Sequence, residues 1–293
     1  MSNYILSCCS TADLSEKEIN SMKIKYAPFH FFINEKHYYD DLGKSISLKE
    51  FYGLMKNGAD VKTSQINSEE FVKYFTPFLE EGKDILHISL SSGISGVYNS
   101  AIIAKKELEE KFPERKIYIV DSLSASSGYG LIMNKLYELK EKGFEIDDLK
   151  NWAEENKLKM NHWFTSTDLT FFVKGGRISK TAGFFGGLLK ICPVLHVDTF
   201  GKLIPVSKVR TKQKSITELL KKMEEHADSG LDYCEKCYIS HSNCYEDAKI
   251  LADLINEKFK NLNGKVEIHD IGTTIGSHTG PGTIALFFWG KER

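Results

Sequence analysis

The chain lacks the features that would tie it to a charged polymer or to a bilayer. Its 39 Lys and Arg residues offset 40 Asp and Glu, leaving a formal net charge of −1. Without basic runs, the electrostatic footprint of a nucleic-acid binder is missing. Acidic tails are missing too. No stretch reaches the ~20 apolar residues that span a bilayer. The most apolar window, Gly183 to Val197, is interrupted by Lys190 and Pro193. The first residues, MSNYILSCC, offer no basic n-region and too short an apolar run for a signal peptide. The expectation is a cytoplasmic protein with no nucleic-acid partner and no stable membrane insertion. Nor is there a Walker-type Gly-x4-Gly-Lys-Ser/Thr, so no self-contained nucleotide site is expected. Internal repeats and low-complexity segments are also missing.

What is present is ordinary globular material. The 293 residues are 41% hydrophobic and 27% charged, enough for one large domain or two modest ones. The six cysteines are expected to be mostly reduced and buried in a cytosolic chain. Four zinc ligands are nominally available in Cys234-x2-Cys237-x3-His241-x2-Cys244. Lys236 to Ser242 reads as a strand, however, and a strand sends alternate side chains to opposite faces. It would have to bend to bring Cys237 and His241 to one ion with Cys234, so no metal is expected.

Apolar strand-like runs alternate with amphipathic helical stretches through the first half. Strands are expected at Tyr4–Ser7, Asp84–Leu90 and Lys116–Val120, and a strand pair over Lys25–Phe32 and Lys36–Tyr39 around Asn34-Glu35. Helices are expected after the capping patterns Ser15-x-x-Glu18 and Ser47-x-x-Glu50, and over Ser68–Glu80, Ser95–Phe112 and Gly128–Lys142. This alternation argues for a parallel sheet with crossover helices. Ligands of such sheets sit beyond the C-terminal strand ends, which points to the loops after Ser89 and Val120. Past about Lys157 the texture changes. Gly and aromatics rise over Phe171–Gly187. Two strands (Cys192–Val197 and Leu203–Val209) follow, then a helix from about Lys214 to His226. A strand–helix–strand unit spans Cys237–Ile271, then come a Gly-rich loop and the strand Thr283–Trp289. We therefore expect an N-terminal parallel-sheet α/β domain over residues 1–160 and a C-terminal α/β domain over 161–293.

Five segments carry possible chemistry. Ser91-Ser92-Gly93-Ile94-Ser95-Gly96 follows a buried strand and opens a helix, where free N–H groups and the helix dipole favour an anion. Ser95 adds a hydroxyl donor, although on position alone a capping role is the better explanation. A nucleophile elbow needs Gly-x-Ser-x-Gly, and here the last position is Val97. Thr63-Ser64-Gln65 reads as an ordinary polar loop. Lys174-Gly175-Gly176-Arg177 leaves Arg177 open to a bidentate anion contact or to solvent. Lys208-Val209-Arg210-Thr211 ends a strand with two cations. Gly272 to Gly282 places His278 among glycines and threonines, where it can donate to an anion or shuttle a proton.

Taken in order, these segments resemble the DegV family of fatty-acid-binding proteins. The likeness rests on Ser10-Thr11-Ala12-Asp13-Leu14, Thr63-Ser64-Gln65, Ser91 to Gly96, Val120-Asp121-Ser122, Lys174 to Ile178, Pro205-x-x-Lys208-x-Arg210-Thr211 and His278-Thr279-Gly280-Pro281-Gly282. It spans nearly the whole chain. The resemblance implies a two-domain α/β protein holding a long-chain fatty acid between its domains. It also implies a lipid-carrying subunit that is not catalytic alone and has no cofactor. That subunit presents the carboxylate to a separate ATP-dependent fatty-acid kinase, which forms an acyl phosphate. Thr63 and Ser95 match the carboxylate-holding positions, with His278 close by. Arg177 and Arg210 match arginines near the site mouth or the kinase contact.

The chain departs from the family pattern in three places. Cys8-Cys9 replaces a Thr-Asp pair, Ile66 replaces a Pro, and Cys192 replaces a Lys. The tail channel is expected among Phe171, Phe172, Phe184, Phe185, Leu188 and Leu189. The rival reading is a Ser/His acyl hydrolase using Ser95 and His278. A lipid-responsive regulator is the third.

Overall fold

The computed structural model describes residues 3–178 and 191–293. Strand β1 (Tyr4–Cys9) is buried throughout. Helix α1 (Glu16–Ser21) starts at a capping box, Ser15 accepting from the Glu18 N–H and the Glu18 carboxylate from the Ser15 N–H. Then come β2 (Lys25–Ala27), β3 (His30–Ile33), β4 (Lys36–Tyr39), α2 (Leu48–Lys56), β5 (Val61–Ser64) and α3 (Ser68–Glu80). The series β6 (Asp84–Ser89), α4 (Val97–Lys111), β7 (Ile117–Asp121), α5 (Ser127–Glu141) and α6 (Ile146–Asn156) completes the first half. The second half holds β8 (Met160–Ser166), α7 (Thr170–Lys174), β9 (Cys192–Val197), β10 (Leu203–Val209) and α8 (Lys212–His226). It closes with β11 (Cys237–His241), α9 (Tyr245–Lys258), β12 (Glu267–Asp270), α10 (Thr273–Thr279) and β13 (Thr283–Trp289).

Among the described residues the strands form three sheets. The first has the order β2-β1-β6-β7 and is parallel throughout, as the strand–helix alternation requires. The second has the order β10-β9-β8-β13-β11-β12; only its β11–β12 pair is parallel. Its strands all start at or after Met160, and those of the first sheet all end by Asp121. A small antiparallel sheet, β4-β3-β5, stands beside them. The fold is thus α/β, with a parallel sheet and a separate mixed sheet. Helix α5 lies between them, packing on β1 and on β8, β11 and β13. The described residues include no helix long and apolar enough to cross a membrane.

Several expectations need correction. Lys25–Phe32 is not one strand. Pro28, which has no N–H to give a ladder, separates β2 in the parallel sheet from β3 in the small one. Asn34 and Glu35 do turn β3 into β4, both at positive φ (47° and 69°), as a tight hairpin needs. Thr63-Ser64 is not loop but the end of β5, with Thr63 opposite Phe31. The Gly-rich segment after Gly272 is not loop either, for it winds into α10. Gly276 sits inside that helix because a Cβ there would lie 2.4 Å from the Tyr52 hydroxyl, which donates to the Ile271 carbonyl. Helix α6 and strand β8 were not anticipated at all.

Of the four nominal zinc ligands, His241 and Cys244 have other partners. Cys237 is buried and Cys234 exposed. His241 Nδ1 accepts from the Cys244 N–H at 3.4 Å, and its Nε2 faces Asp270 at 3.5 Å.

Candidate lipid-binding site

Beyond the C-terminal ends of β6 and β7, the loops carrying Leu90, Ser95 and Ser126 face the mixed sheet across a partly enclosed cavity. Most of the wall is apolar. Phe164 on β8, Phe172 on α7, and Ala285 and Phe287 on β13 all line it. Ala285 and Phe287 do so together because alternate residues of a strand share a face. Asp121 fastens the floor, accepting from the N–H groups of Ser92 at 3.1 Å and Leu123 at 3.0 Å. Ser91 ties the same loop to the β9–β10 turn by donating to the Gly201 carbonyl at 2.9 Å.

Thr63, Ser95, Arg177 and His278 all line this cavity. They come from the end of β5, the turn before α4, the segment after α7, and α10. Thr63 Oγ1 and His278 Nε2 hydrogen-bond at 2.7 Å across 215 residues of sequence. Burial, and then the Arg177 charge, lower the His278 pKa to about 4, so the ring is neutral at pH 7. With its proton on Nε2, His278 donates to Thr63 and leaves the threonine hydroxyl proton for an anion. Ser95 is not the cap of α4; that position is Gly96. Its hydroxyl accepts from the Val97 N–H at 3.2 Å, which leaves its own proton available. Arg177 is half-buried, and its guanidinium donates to the Ile94 carbonyl at 3.2 Å and to the Gly175 carbonyl. It therefore clips the α7 exit to the Ser91–Gly96 turn, and burial lowers its pKa.

Two hydroxyls escaped the sequence reading. Thr274 and Thr279 line the cavity with buried Oγ1 atoms that make no hydrogen bond in the protein. His278 Nδ1 is similarly buried and unpartnered. Unpaired buried polar groups are costly and call for a partner. The Thr279 signal was its place beside His278; Thr274 could only be found from the helical turn that sets it and His278 four residues apart on one face.

Arg210 is exposed and is not part of the cavity wall. Phe171 packs against Gly280, where a Cβ would lie 2.2 Å from its ring, and does not line the cavity. Phe184, Phe185, Leu188 and Leu189 lie outside the described residues. Cys8 and Cys9 are fully buried in the core. Cys9 Sγ stands 3.6 Å from His87 Nε2, and burial pushes its thiol up to about 12. Asp13, outside the cavity wall, accepts from the Gly272 N–H at 3.0 Å and from Ser126. Asp40 accepts from Thr273 Oγ1 at 2.8 Å, so two buried acids anchor the start of the helix that carries His278.

A hydrolase triad needs a base bonded to the nucleophile and an orienting acid on its other nitrogen. Here His278 bonds Thr63, and Nδ1 faces no acid among the described residues. Gly175 stands at that nitrogen; a Cβ on it would lie 2.3 Å from Nδ1. Gly175→Ala is accordingly expected to displace the imidazole and weaken ligand binding at least about tenfold, while costing about 1–3 kcal/mol of stability for overpacking. Ligand titration and urea unfolding check the two parts; unchanged binding would mean that the ring position is irrelevant.

A family model described as "Uncharacterised protein, DegV family" matches residues 9–291. A DegV domain-containing protein of Clostridium perfringens is 38% identical over 293 residues, covering 100% of this chain and 99% of that one. Among solved structures, a DegV lipid-binding protein of Thermotoga maritima superposes with a TM-score of 0.83 at 29% identity, with 100% of both chains covered. DegV of Bacillus subtilis, a fatty-acid-binding protein, gives 0.84 at 26% identity over 99% of this chain and 100% of its own.

Proposed function

Because the chain belongs to the DegV family, we propose that it binds a long-chain fatty acid in this cavity and presents the carboxylate to a separate ATP-dependent kinase. The observation that carries the binding reading is an apolar cavity that also holds neutral hydrogen-bonding groups with protons to give. Thr63 and Ser95 donate to the carboxylate, and His278 orients Thr63. A buried carboxylate needs such donors, since an unpaired buried charge is expensive. The apolar wall then takes the tail, at roughly 0.8 kcal/mol for each CH₂ removed from water. A lipid-binding and a fatty-acid-binding relative of the same fold support this reading.

The kinase step rests on the family resemblance and on a chain that has no Walker motif of its own. In it, a carboxylate oxygen attacks the γ-phosphorus of ATP, and ADP leaves as the acyl phosphate forms. Arg177 steadies the phosphate charge at the cavity, and exposed Arg210 docks the kinase. The closing test has two stages. Extraction and mass spectrometry of the purified protein should yield close to one fatty acid per chain. Addition of a fatty-acid kinase subunit and ATP should then consume that acid, more slowly in Arg210→Glu, which keeps its lipid. Folded protein that carries no fatty acid and takes up none from oleate would remove the first stage. Lipid that stays unphosphorylated with an active kinase would remove the second.

A further inference from the structure

The cavity wall also contains an imidazole that the carboxylate contacts do not use. His162, on β8, lines the cavity and is 1% exposed, yet neither ring nitrogen makes a hydrogen bond in the protein. Its surroundings explain why. On one side its ring packs edge-on against Phe287, with centroids 5.4 Å apart. On another it rests on α5 at Gly128, where a Cβ would lie 2.2 Å from Nε2. Burial pushes its pKa well down; Arg293 and His196 act in the same direction, and a contact with the Met160 backbone works weakly against them. The ring is a neutral donor and acceptor set beside Phe287 and Ala285 in the wall.

Its place along the cavity follows from strand register. Thr283, Ala285 and Phe287 face the cavity from β13, opposite Ser166, Phe164 and His162 on β8. Thr283 Oγ1 donates to the Thr279 carbonyl, next to His278. Four residues on, Phe287 and His162 stand roughly 13 Å further along the strands. A bound acid whose carboxylate lies at Thr63 and His278 therefore passes His162 part-way down its chain.

We infer that His162 is a polar contact for the middle of the ligand, and that the cavity prefers a long-chain fatty acid bearing a mid-chain hydroxyl over the same acid without one. The inference rests on the fatty-acid reading above. A plain chain leaves the imidazole buried and unpaired, whereas a hydroxyl donates to one ring nitrogen or accepts from the other. The test is competition of ricinoleic acid and of oleic acid, which differ by one hydroxyl, against a fluorescent fatty acid on the full chain. Ricinoleic acid should bind about tenfold or more tighter to the unsubstituted protein. His162→Phe, which fills the same space without polar atoms, should erase the preference while keeping oleic acid bound. His162→Gln, which keeps a donor and an acceptor, should retain part of it. Should His162→Phe fail to fold, ring-nitrogen NMR of the native protein gives the same decision: the His162 shifts should move with ricinoleic acid and stay put with oleic acid. Oleic acid bound as tightly as ricinoleic acid, or a preference that survives His162→Phe, overturns this inference alone. Failure of both acids to bind overturns the fatty-acid reading with it.

Discussion

Replacing Thr63 and Ser95 together by alanine is expected to weaken oleate binding by about 10²–10³-fold while leaving the fold intact. A hydrogen bond to a charged group contributes about 1.5–3 kcal/mol. Each 1.4 kcal/mol is a factor of ten in affinity. The two donors share one carboxylate, so their effects are expected to fall short of additive. Both side chains are small and partly exposed, so a large cavity penalty is not expected. Residual binding should persist, because the apolar wall still takes the tail. Oleyl alcohol, which has no carboxylate, separates the effects: it should bind the double variant and the parent protein alike. The measurement is displacement of a fluorescent fatty acid, with thermal unfolding as the control. Affinity within about threefold of the parent would place the carboxylate elsewhere in the cavity, with Thr274 and Thr279 as the next donors to test.

The second large effect is loss of stability in mild acid. Four histidines are held neutral by burial. The pKa of His87 falls to about 3, those of His196 and His278 to about 4, and that of His162 well below the usual value. An unfolded histidine titrates near 6.5. Between that value and each folded value, the unfolded chain binds more protons than the native one. Stability therefore rises with pH through this window and falls as pH drops from about 6.5 toward 4. Each such histidine steepens the fall by up to about 1.4 kcal/mol per pH unit. Between pH 6.5 and 5 the four together lower stability by up to about 8 kcal/mol, a large part of a typical total of 5–15 kcal/mol. Asp13 works the other way: its burial raises the carboxyl pKa, so its contribution is present at acid pH and is lost as pH rises through the folded value. One raised acid does not offset four depressed histidines. Urea midpoints at pH 7, 6 and 5 give the answer, and a midpoint flat over that range would show that these rings reach water in the native state.

Much of this architecture follows from local chemistry that the sequence alone carries. Ser15-x-x-Glu18 marks the start of α1, the repeated apolar runs mark β1, β6 and β7, and their alternation with helices implies a parallel sheet whose C-terminal loops face the cavity. Those signals are local: a cap spans four residues, and a buried strand is an unbroken apolar run. The division into strands failed where one residue decided it, as when Pro28 split what reads as a single strand. The glycines after Gly272 read as turns, yet Gly276 is there to admit Tyr52 against a helix. That requirement comes from a residue 224 positions away and leaves no trace nearby. The site itself divides the same way. Thr63, Ser95 and His278 were legible as an ordered set of motifs, but their shared cavity was not. Only tertiary contact sets His278 against Thr63, turns the hydroxyls of Thr274 and Thr279 inward unpaired, puts Arg210 outside, and buries His162 in the cavity wall. Periodicity reports which face of an element is apolar, whereas a binding site depends on which faces meet, and that is settled by packing between segments far apart in the chain.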